Sequence, residues 1–362
     1  MADSTPPIRA AKDDILPLIE TWDGESFVIR FDEETGTWIF LALHSSVLGR
    51  PSGGTRMKVY EGLRDAVLDS MRLARGMTAK WAGLDMDIGG GKAVLAIPGP
   101  LEGAARDGLL RRYGDLIHSL SGAFATGADL GTTAADMATI ARSTHYVFGV
   151  DHETGESTDP GPFTARGVFE GLRASVESVF GDAIMAGRSV LVQGVGGVGR
   201  PLSHLLAEAG ADVFVSDLDA GRAAELAREV GGREVDPDDA LSYECDVFAP
   251  CAVGGILSRY TIQHLHCRIV AGSANNQLQE DEDAQRLHER GIVYAPDYIL
   301  NAGGAMALAL MADGLTDRDV LLNRVAAIGQ VVGEILSDSA EHGTTPLEAA
   351  SRIVERRLAV SS

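Results

Sequence analysis

The sequence predicts an α/β protein of two domains, the second built on a mostly parallel sheet. Three observations support this prediction. The chain has 362 residues, which is too long for one small core and long enough for two domains. From about residue 160 onward, short apolar strands alternate with helices, which is the pattern of βαβ units. A glycine-rich turn joins the first of these strands to the helix that follows it.

The first part of the chain, from about residue 25 to 150, mixes strands with helices. Residues 26–44 are predicted to form two strands joined by a turn at "EETG". Residues 63–83 are predicted to be helical, because Leu63, Val67 and Met71 recur at roughly helical spacing.

The second part of the chain is more regular. A helix over residues 167–181, ended by a glycine, precedes the alternating segments. The segments expected to be strands are 189–194, 211–217, 245–250 and 267–272, and those expected to be helices are 200–210, 220–231 and 346–360.

The composition is ordinary for a soluble globular protein and argues against several classes of partner. Hydrophobic residues make up 45% of the chain and charged residues 23%. The net charge of −21 disfavours binding to nucleic acid or to anionic lipid. We find no apolar run of about 18 residues that would predict a membrane span. The start of the chain lacks the apolar core of a signal peptide, and three cysteines are too few for a disulfide framework, so we expect a cytoplasmic protein.

The glycine-rich turn has the spacing of a dinucleotide-binding loop. Gly194, Gly196 and Gly199 form G-x-G-x-x-G between a predicted strand and a predicted helix. The helix N-terminus offers N–H groups and partial positive charge to a pyrophosphate. Asp217 ends the next strand, where a carboxylate can bind the ribose hydroxyls and would repel a 2′-phosphate. We therefore expect NAD as the cofactor, with NADP as the alternative because Arg222 is nearby.

Two of the four lysines of the chain, Lys80 and Lys92, flank a triple glycine at 89–91. A phosphate-binding loop is one interpretation, but Met86 replaces its first glycine and Ala93 replaces its Ser or Thr. A second interpretation is that both lysines are solvated surface residues. In a third, one lysine binds a substrate carboxylate, while the other is partly buried, has a lowered pKa and transfers protons.

Nine motifs occur in an order that resembles the leucine/phenylalanine/valine dehydrogenase branch of the amino-acid dehydrogenases related to glutamate dehydrogenase. The resemblance covers about residues 35 to 310. The motifs are SGGTRM (52–57), RGMTAK (75–80), GGGKAV (89–94), GADLGTTAADM (127–137), DPGPFTARGVF (159–169), GVGGVG (194–199), DVFAPCAVGG (246–255), AGSANNQL (271–278) and YAPDYILNAGGA (294–305).

The resemblance implies a reversible reaction in which an L-amino acid, NAD and water give a 2-oxo acid, NADH and ammonium. It implies a substrate-binding and catalytic α/β domain over residues 1–148 and a Rossmann NAD-binding domain over 149–340, with a cleft between them. Residues 341–362 would form a C-terminal helix that packs back on the N-terminal domain. It also implies a homodimer or a larger homo-oligomer.

The resemblance assigns roles residue by residue. Lys80 would bind the substrate α-carboxylate, Lys92 would activate water, and Asp129 would shuttle protons to and from the amino group. On the residues alone, Asp129 could instead be a helix N-cap or a loop carboxylate. Gly53 and Gly54 would lie along the bound amino acid. The cofactor-binding positions would be Thr164, Gly194, Gly196, Gly197, Val198, Gly199, Asp217, Cys251, Ala252, Asn276 and Asn301.

Three family positions that shape the side-chain pocket are small in this chain: Ser52, Gly127 and Ala305. Small pocket walls leave room for a large substrate, so we expect an aromatic amino acid, with Met77 or Trp81 lining the site. A branched-chain substrate is the alternative if neighbouring side chains refill the space. A non-catalytic NAD-binding relative is the alternative of another class. The His264–Cys267 segment lacks the further ligands of a metal site, so we expect no metal.

Overall fold

The computed structural model describes residues 9–151 and 154–361, and it has the mixed α/β fold expected from the sequence. Two units are distinguished: Met1–Thr158 together with Val360–Ser362, called unit 1, and Asp159–Ala359, called unit 2. The functional labels given above to residues 1–148, 149–340 and 341–362 stay predictions.

Unit 1 contains a five-stranded mixed sheet. Its strands are β1 (Ser26–Asp32), β2 (Thr37–Ser45), β3 (Pro51–Lys58), β4 (Gly89–Ala96) and β5 (Ala125–Ala128). Their order is β1-β2-β4-β3-β5. The pairs β1–β2 and β2–β4 are antiparallel, whereas β3 runs parallel to both β4 and β5. The strand pair predicted around "EETG" is therefore β1 and β2.

Helices cover both faces of this sheet. They are α1 (Arg9–Thr21), α2 (Leu63–Gly83), α3 (Gly103–Ser119) and α4 (Ala134–Ala141). Successive side chains of a strand point to opposite faces. Phe40 and Val94 accordingly pack with Val67 of α2, while Leu41 and Leu95 belong to the core on the side of α3. Lys92 shares the α2 face with Val94, because the two residues are two positions apart along β4.

Unit 2 contains a six-stranded parallel sheet. Its strands are β6 (Ser189–Gln193), β7 (Asp212–Ser216), β8 (Arg233–Glu234), β9 (Val247–Pro250), β10 (Ile269–Val270) and β11 (Val293–Tyr294). The order is β11-β10-β9-β6-β7-β8, and all neighbouring pairs are parallel. The first strand of the unit, β6, lies in the middle of the sheet, and β7 and β8 are added on one side of it. The chain then crosses over, and β9, β10 and β11 are added on the other side, so the strand order reverses between β6 and β9. This is the doubly wound Rossmann arrangement, whose ligands bind at the carboxyl ends of the strands beside the reversal.

The helices of unit 2 are α5 (Gly161–Phe180), α6 (Gly199–Glu208), α7 (Ala220–Val230), α8 (Glu282–Glu289), α9 (Asp297–Leu300), α10 (Gly303–Ala312), α11 (Arg318–Ala326), α12 (Ile328–His342) and, up to Ala359, α13 (Pro346–Ser361). Helix α5 begins at Gly161 rather than at residue 167. It ends at Gly181, which adopts a φ of 89° that favours glycine. Arg352 of α13 forms an ion pair with Asp338 of α12, so these two helices are linked within the unit.

One helical segment among the described residues, Arg318–His342, is long and apolar enough to cross a membrane by length and composition. It comprises α11 and α12 of unit 2. Leu321, Val325, Val332 and Ile335 of this segment are buried in the fold. A third of its most apolar window is buried in the fold, and length and composition alone are weak evidence for a membrane span.

Candidate active site

The candidate site of unit 1 is built on Lys92 in β4, of which only 4% is exposed. Its Nζ lies 3.0 Å from Oδ2 of Asp129, which follows β5. Strand β3 runs between β4 and β5, so the lysine side chain reaches across it. Gly54 on β3 makes this possible, because a Cβ there would lie 2.8 Å from both the Ala128 carbonyl oxygen and the Asp129 Cβ. The structure thus brings together two of the residues to which the sequence assigned proton chemistry.

Burial and charge set the protonation of this pair. Burial lowers the pKa of Lys92 below its ordinary value; Asp129 opposes this effect and the cation of Arg56 adds to it. For Asp129, burial acts to raise the pKa, but Lys92 and Arg56 outweigh it and lower the pKa to about 2. Asp129 is therefore ionised at neutral pH. Lys92 is the member of the pair whose titration moves towards neutral pH, as a proton-transfer group requires.

Arg56 and Asp69 complete the charge arrangement, and the sequence reasoning missed both. Arg56 Nε donates to Asp129 Oδ2 at 2.9 Å, and Arg56 Nη1 donates to Asp69 Oδ2 at 2.9 Å. The Tyr60 hydroxyl donates to the same Asp69 oxygen at 2.7 Å. Strand alternation could have indicated Arg56, since it lies two residues after Gly54 and so faces the same side. No sequence pattern indicates Asp69, because its contact with Arg56 depends on how α2 packs against the sheet.

The triple glycine beside Lys92 serves the packing of the unit itself. A Cβ at Gly90 would lie 1.9 Å from Thr78 Oγ1 on α2, and one at Gly91 would lie 2.9 Å from the Phe124 ring. Helix α2 can therefore approach β4 closely. Lys80 lies in the last turn of this helix and is half-buried.

The pocket residues expected from the sequence divide into two groups. Trp81 is 2% exposed and its Nε1 donates to the Ser52 carbonyl at 3.2 Å, so it supports β3 from within the core. Ser52 is also buried, and its hydroxyl donates to the Arg50 carbonyl. Met77, in contrast, is half-buried and borders the glycine pair, because a Cβ at Gly53 would lie 3.0 Å from its Cγ. Of the two residues expected to line the site, Met77 is the better placed.

Gly127 has space around it. A Cβ added there would meet only the Phe148 Cβ within 4 Å, at an ordinary contact distance of 3.7 Å. Phe148 is half-buried and was not singled out from the sequence. Phe148 lies near Gly127 because the residues before them, Val147 and Thr126, form a parallel bridge, and sequence patterns do not reveal this pairing.

In unit 2, the glycine loop follows β6 and leads into α6. Gly194 has a φ of 93°, and a Cβ there would lie 2.7 Å from the Ala252 Cβ. A Cβ at Gly199 would lie 1.8 Å from the Gly194 carbonyl oxygen, whereas Gly196 and Gly197 have no atom within 4 Å of an added Cβ. The two outer glycines are thus required by the fold. The two inner ones leave an open surface at the N-terminus of α6, which suits a pyrophosphate.

Asp217 is held beside this loop. Its Oδ2 accepts a hydrogen bond from the Val195 N–H at 2.8 Å, and its Oδ1 accepts one from the Asp219 N–H at 2.9 Å. Burial acts to raise the pKa of Asp217, but these two N–H groups, with Arg222, bring it below its ordinary value. An ionised, oriented carboxylate at the end of β7 fits the hydroxyls of an adenosine ribose.

The other predicted cofactor residues lie around the carboxyl ends of β6 and β9. The Cys251 N–H donates to the Gln193 carbonyl at 2.7 Å, which places Cys251 and Ala252 beside the loop. Val198 immediately precedes α6. A Cβ at Gly161 would lie 2.3 Å from the Gly197 carbonyl oxygen, so α5, which carries Thr164, begins against the loop.

Asn276 and Asn301 occupy two neighbouring segments of unit 2. Asn276 has a φ of 53°, a left-handed conformation that asparagine tolerates better than most residues. Asn301 follows α9, and its Nδ2 donates to Asn275 Oδ1 at 2.6 Å. Asn275 therefore orients the Asn301 amide, a contact that the sequence reasoning missed. Ala305 lies half-buried on α10. Among the described residues, no group of three or more His, Cys, Asp or Glu side chains is arranged to hold a metal ion.

Comparison with protein families decides the class of enzyme. Residues 28–146 match the family described as Glu/Leu/Phe/Val dehydrogenase, dimerisation domain, and residues 215–313 match Glutamate/Leucine/Phenylalanine/Valine dehydrogenase. The chain belongs to this family. It is an oxidoreductase that acts on amino acids, and dehydrogenases of this family depend on a pyridine nucleotide.

Named relatives act on amino acids of different size. The chain is 38% identical to leucine dehydrogenase of Geobacillus stearothermophilus over 95% of its length and 93% of that protein. It is 40% identical to L-tryptophan dehydrogenase of Nostoc punctiforme, over 89% of each chain. It is 38% identical to phenylalanine dehydrogenase of Lysinibacillus sphaericus, over 92% of this chain and 88% of that one.

The crystal structure of L-tryptophan dehydrogenase from N. punctiforme matches the whole fold. Its TM-score is 0.83 at 36% identity, and the match covers 95% of this chain and 98% of the other. The predicted family and fold class are therefore confirmed, while the individual residue roles stay predictions.

Proposed function

We propose that this enzyme catalyses the reversible, NAD-dependent oxidative deamination of an L-amino acid with a large apolar, aromatic side chain. The buried Lys92–Asp129 pair, with 3.0 Å between Nζ and Oδ2, is the observation that carries the proposal. It places a lysine of lowered pKa beside an ionised carboxylate, and such a pair can exchange protons near neutral pH. A non-catalytic NAD-binding relative would have no use for such a pair.

The roles follow from the chemistry of each side chain. Lys80, as a point charge, binds the substrate α-carboxylate. Lys92 in its neutral form accepts one proton from the water that attacks the imine carbon, which leaves a hydroxyl group on that carbon. As the ammonium, Lys92 then stabilises this carbinolamine by donating a hydrogen bond to its oxygen. Asp129 takes the proton that leaves the substrate amino group. Gly53 and Gly54 leave space for the amino acid along β3. The nicotinamide, when bound, supplies the hydride acceptor.

The residues around the glycine loop support NAD as the cofactor. Asp217 offers an ionised carboxylate where a ribose would bind, and a 2′-phosphate at that place would be repelled. Gly194, Gly196, Gly197, Val198 and Gly199 shape the pyrophosphate site. Thr164, Cys251, Ala252, Asn276 and Asn301 are the proposed contacts of the nicotinamide half.

The space at Gly127 supports an aromatic substrate. Gly127 has no side chain of its own, and the Cβ of the half-buried Phe148 is the neighbour that an added Cβ would meet, so a bulky apolar group has room there. Ser52 adds little volume, because it is buried and its hydroxyl is bonded to the main chain. Met77 would border the pocket, and Ala305 is included on the strength of the family resemblance. Branched-chain amino acids are the second candidate, favoured by the 38% identity to leucine dehydrogenase over 95% of the chain.

Assembly and location are part of the proposal. We expect a cytoplasmic homodimer or larger homo-oligomer, without a nucleic-acid or membrane partner. Residues 28–146 match a domain described as a dimerisation domain. Ile29 and Phe31 are exposed on the edge strand β1, where apolar side chains and unpaired main-chain groups favour contact with another copy.

The test measures NADH formation from L-tryptophan, L-phenylalanine, L-leucine and L-valine at alkaline pH. We expect the highest kcat/KM for an aromatic substrate; a clear preference for leucine would favour the second candidate instead. Lys92→Ala should lower kcat by about 10³-fold or more, because it removes the proton acceptor. NADH binding, followed by fluorescence, should persist. Lys58→Ala is the matched control, since Lys58 is an exposed lysine on β3. Equal turnover by Lys92→Ala and Lys58→Ala would exclude the role of Lys92.

A further inference from the structure

Arg56 lies at the centre of a charge network that the assigned roles of Lys92 and Asp129 do not use. Its side chain is only 11% exposed. It joins two carboxylates that come from different elements: Asp129 after β5 and Asp69 on α2. Tyr60 also donates to Asp69. A third cation, the more exposed Arg72, also binds Asp69 at 2.9 Å. The two buried cations, Lys92 and Arg56, each contact a carboxylate, which is the condition under which buried charges are tolerated.

The contacts at Asp129 are asymmetric. Lys92 Nζ and Arg56 Nε lie 3.0 Å and 2.9 Å from the same oxygen, Oδ2. Within the part of the chain that the structure describes, no donor is hydrogen-bonded to the other oxygen, Oδ1. The two cations therefore hold Oδ2, and Oδ1 is the oxygen of Asp129 through which a ligand could be contacted.

We propose that Arg56 is a positioning residue of the deamination reaction, which holds Asp129 through Oδ2 so that Oδ1 faces the substrate amino group. Asp69 in turn fixes the guanidinium of Arg56 with a second pair of contacts, at 2.9 and 3.3 Å. This inference rests on the proposed function, since it gives Asp129 the amino-group proton. It goes further, because it assigns separate tasks to the two oxygens and names the residue that separates them.

The same geometry affects Lys92. Arg56 is a like charge beside Lys92 and also shares its counter-ion, so it lowers the lysine pKa in addition to burial, whereas Asp129 and Asp69 raise it. The neighbouring strand β2 places the uncharged Ala42 opposite Lys92. Other titratable groups lie on the elements beside this site. Tyr60 and Arg72 both donate to Asp69, His44 is hydrogen-bonded to Thr78, and Lys80 lies in the last turn of α2.

The test titrates Lys92 directly in the full-length protein. With only four lysines in the chain, protein labelled with ¹³C at lysine Cε gives few signals, and Lys92→Ala identifies the one from Lys92. We expect Arg56→Gln to raise the Lys92 pKa by about one unit, because a like charge is lost. Asp69→Asn should lower the Lys92 pKa, because the negative charge of Asp69, which raises that pKa, is lost. The acidic limb of the kcat/KM profile should move to higher pH in the first variant and to lower pH in the second.

Two further variants separate positioning from general destabilisation. Arg56→Lys keeps the charge but loses the planar fork, so we expect the acidic limb to stay in place while kcat falls about tenfold with little change in KM. Arg112→Gln breaks a comparable arginine–carboxylate contact, with Asp32 and Glu34, and should leave the Lys92 signal unchanged.

Several outcomes would overturn the inference: an unchanged Lys92 pKa in Arg56→Gln, shifts of the same sign in Arg56→Gln and Asp69→Asn, or an unchanged kcat in Arg56→Lys. If Arg56→Gln does not fold, Asp69→Asn decides the electrostatic part, where a fall in the Lys92 pKa supports the inference and no change refutes it. If the pKa values shift as expected but the wild-type enzyme deaminates no amino acid, the proposed function fails, and with it the role of Oδ1, while the link between Arg56 and Lys92 stands.

Discussion

The two candidate sites of this protein differ in the groups that they offer to a polar ligand. In unit 1, charged side chains are buried and satisfy one another: Lys92 and Arg56 meet at Asp129, and Asp69 balances the second cation. In unit 2, the glycine loop offers main-chain groups, and main-chain N–H groups hold the ionised Asp217 beside it. Chemistry that moves protons needs tunable charges, whereas binding a pyrophosphate needs backbone that can be approached closely.

The largest effect that this comparison predicts is at the charged site. Asp129→Asn keeps the shape but loses the charge and the ability to take a proton, so we expect kcat to fall by about 10³-fold. Steady-state NADH formation measures it. Asp136→Asn is the matched control, because Asp136 is a carboxylate of the same unit that caps α4 and binds Arg106. A comparable loss in both variants would mean that the effect is structural.

The next effect concerns the glycine loop. Gly199→Ala places a Cβ against the Gly194 carbonyl, so we expect a loss of about 1–3 kcal/mol in the free energy of unfolding. The displaced loop should also weaken NADH binding by about 100-fold. Thermal unfolding and fluorescence titration measure the two effects.

Gly197→Ala provides the contrast within the same loop, because an added Cβ there meets no atom within 4 Å. It should leave the melting temperature unchanged and weaken only NADH binding. If both variants unfolded at the same temperature, the distinction between outer and inner glycines would be wrong.

Cofactor choice should respond to the carboxylate of Asp217 beside the glycine loop. Asp217→Ala removes the acceptor for the ribose hydroxyls, so we expect the affinity for NADH to fall by about 10–100-fold, as for other hydrogen bonds to a charged group. The ratio of kcat/KM values for NAD and NADP should move towards NADP, because the repulsion of a 2′-phosphate is lost. An unchanged ratio would show that Asp217 does not face the ribose.

The smallest effect is expected in the substrate pocket. Gly127→Val fills space beside Phe148, so kcat/KM for tryptophan should fall by about tenfold or more, while the value for valine should change less. Competition between the two substrates measures the ratio directly. An equal loss for both would indicate that Gly127 does not border the side chain of the substrate.

The sequence predicted one site more fully than the other, and the reason is the distance along the chain over which each is built. The strand, glycine loop, helix and Asp217 of unit 2 lie within about thirty residues and follow local rules. Arg56, Asp69 and Asp129 come from β3, α2 and the end of β5, so their meeting depends on the sheet order and on helix packing. Lys92 and Asp129 were found through family resemblance, and Arg56 was not found although strand alternation places it beside Gly54.

The packing of single residues was harder to predict. Met77 or Trp81 was expected to line the substrate pocket, and the indole of Trp81 donates to the Ser52 carbonyl from within the core. The contacts of Trp81 depend on how α2 packs on the sheet. The sequence of a helix does not show which residues of another element its tryptophan will contact. The triple glycine shows the same limit, since the contacts that exclude side chains there come from α2 and from Phe124.

The glycine pair on β3 has a practical consequence for engineering. A side chain at Gly53 would meet the Gly91 carbonyl at 1.9 Å, and one at Gly54 would push apart the segment that carries Asp129. A library that seeks new substrates should therefore leave both glycines fixed and vary Gly127, Met77 and Phe148. Under the proposed roles, we expect selection at those three positions to change which amino acid is accepted while Lys92 and Asp129 stay in place.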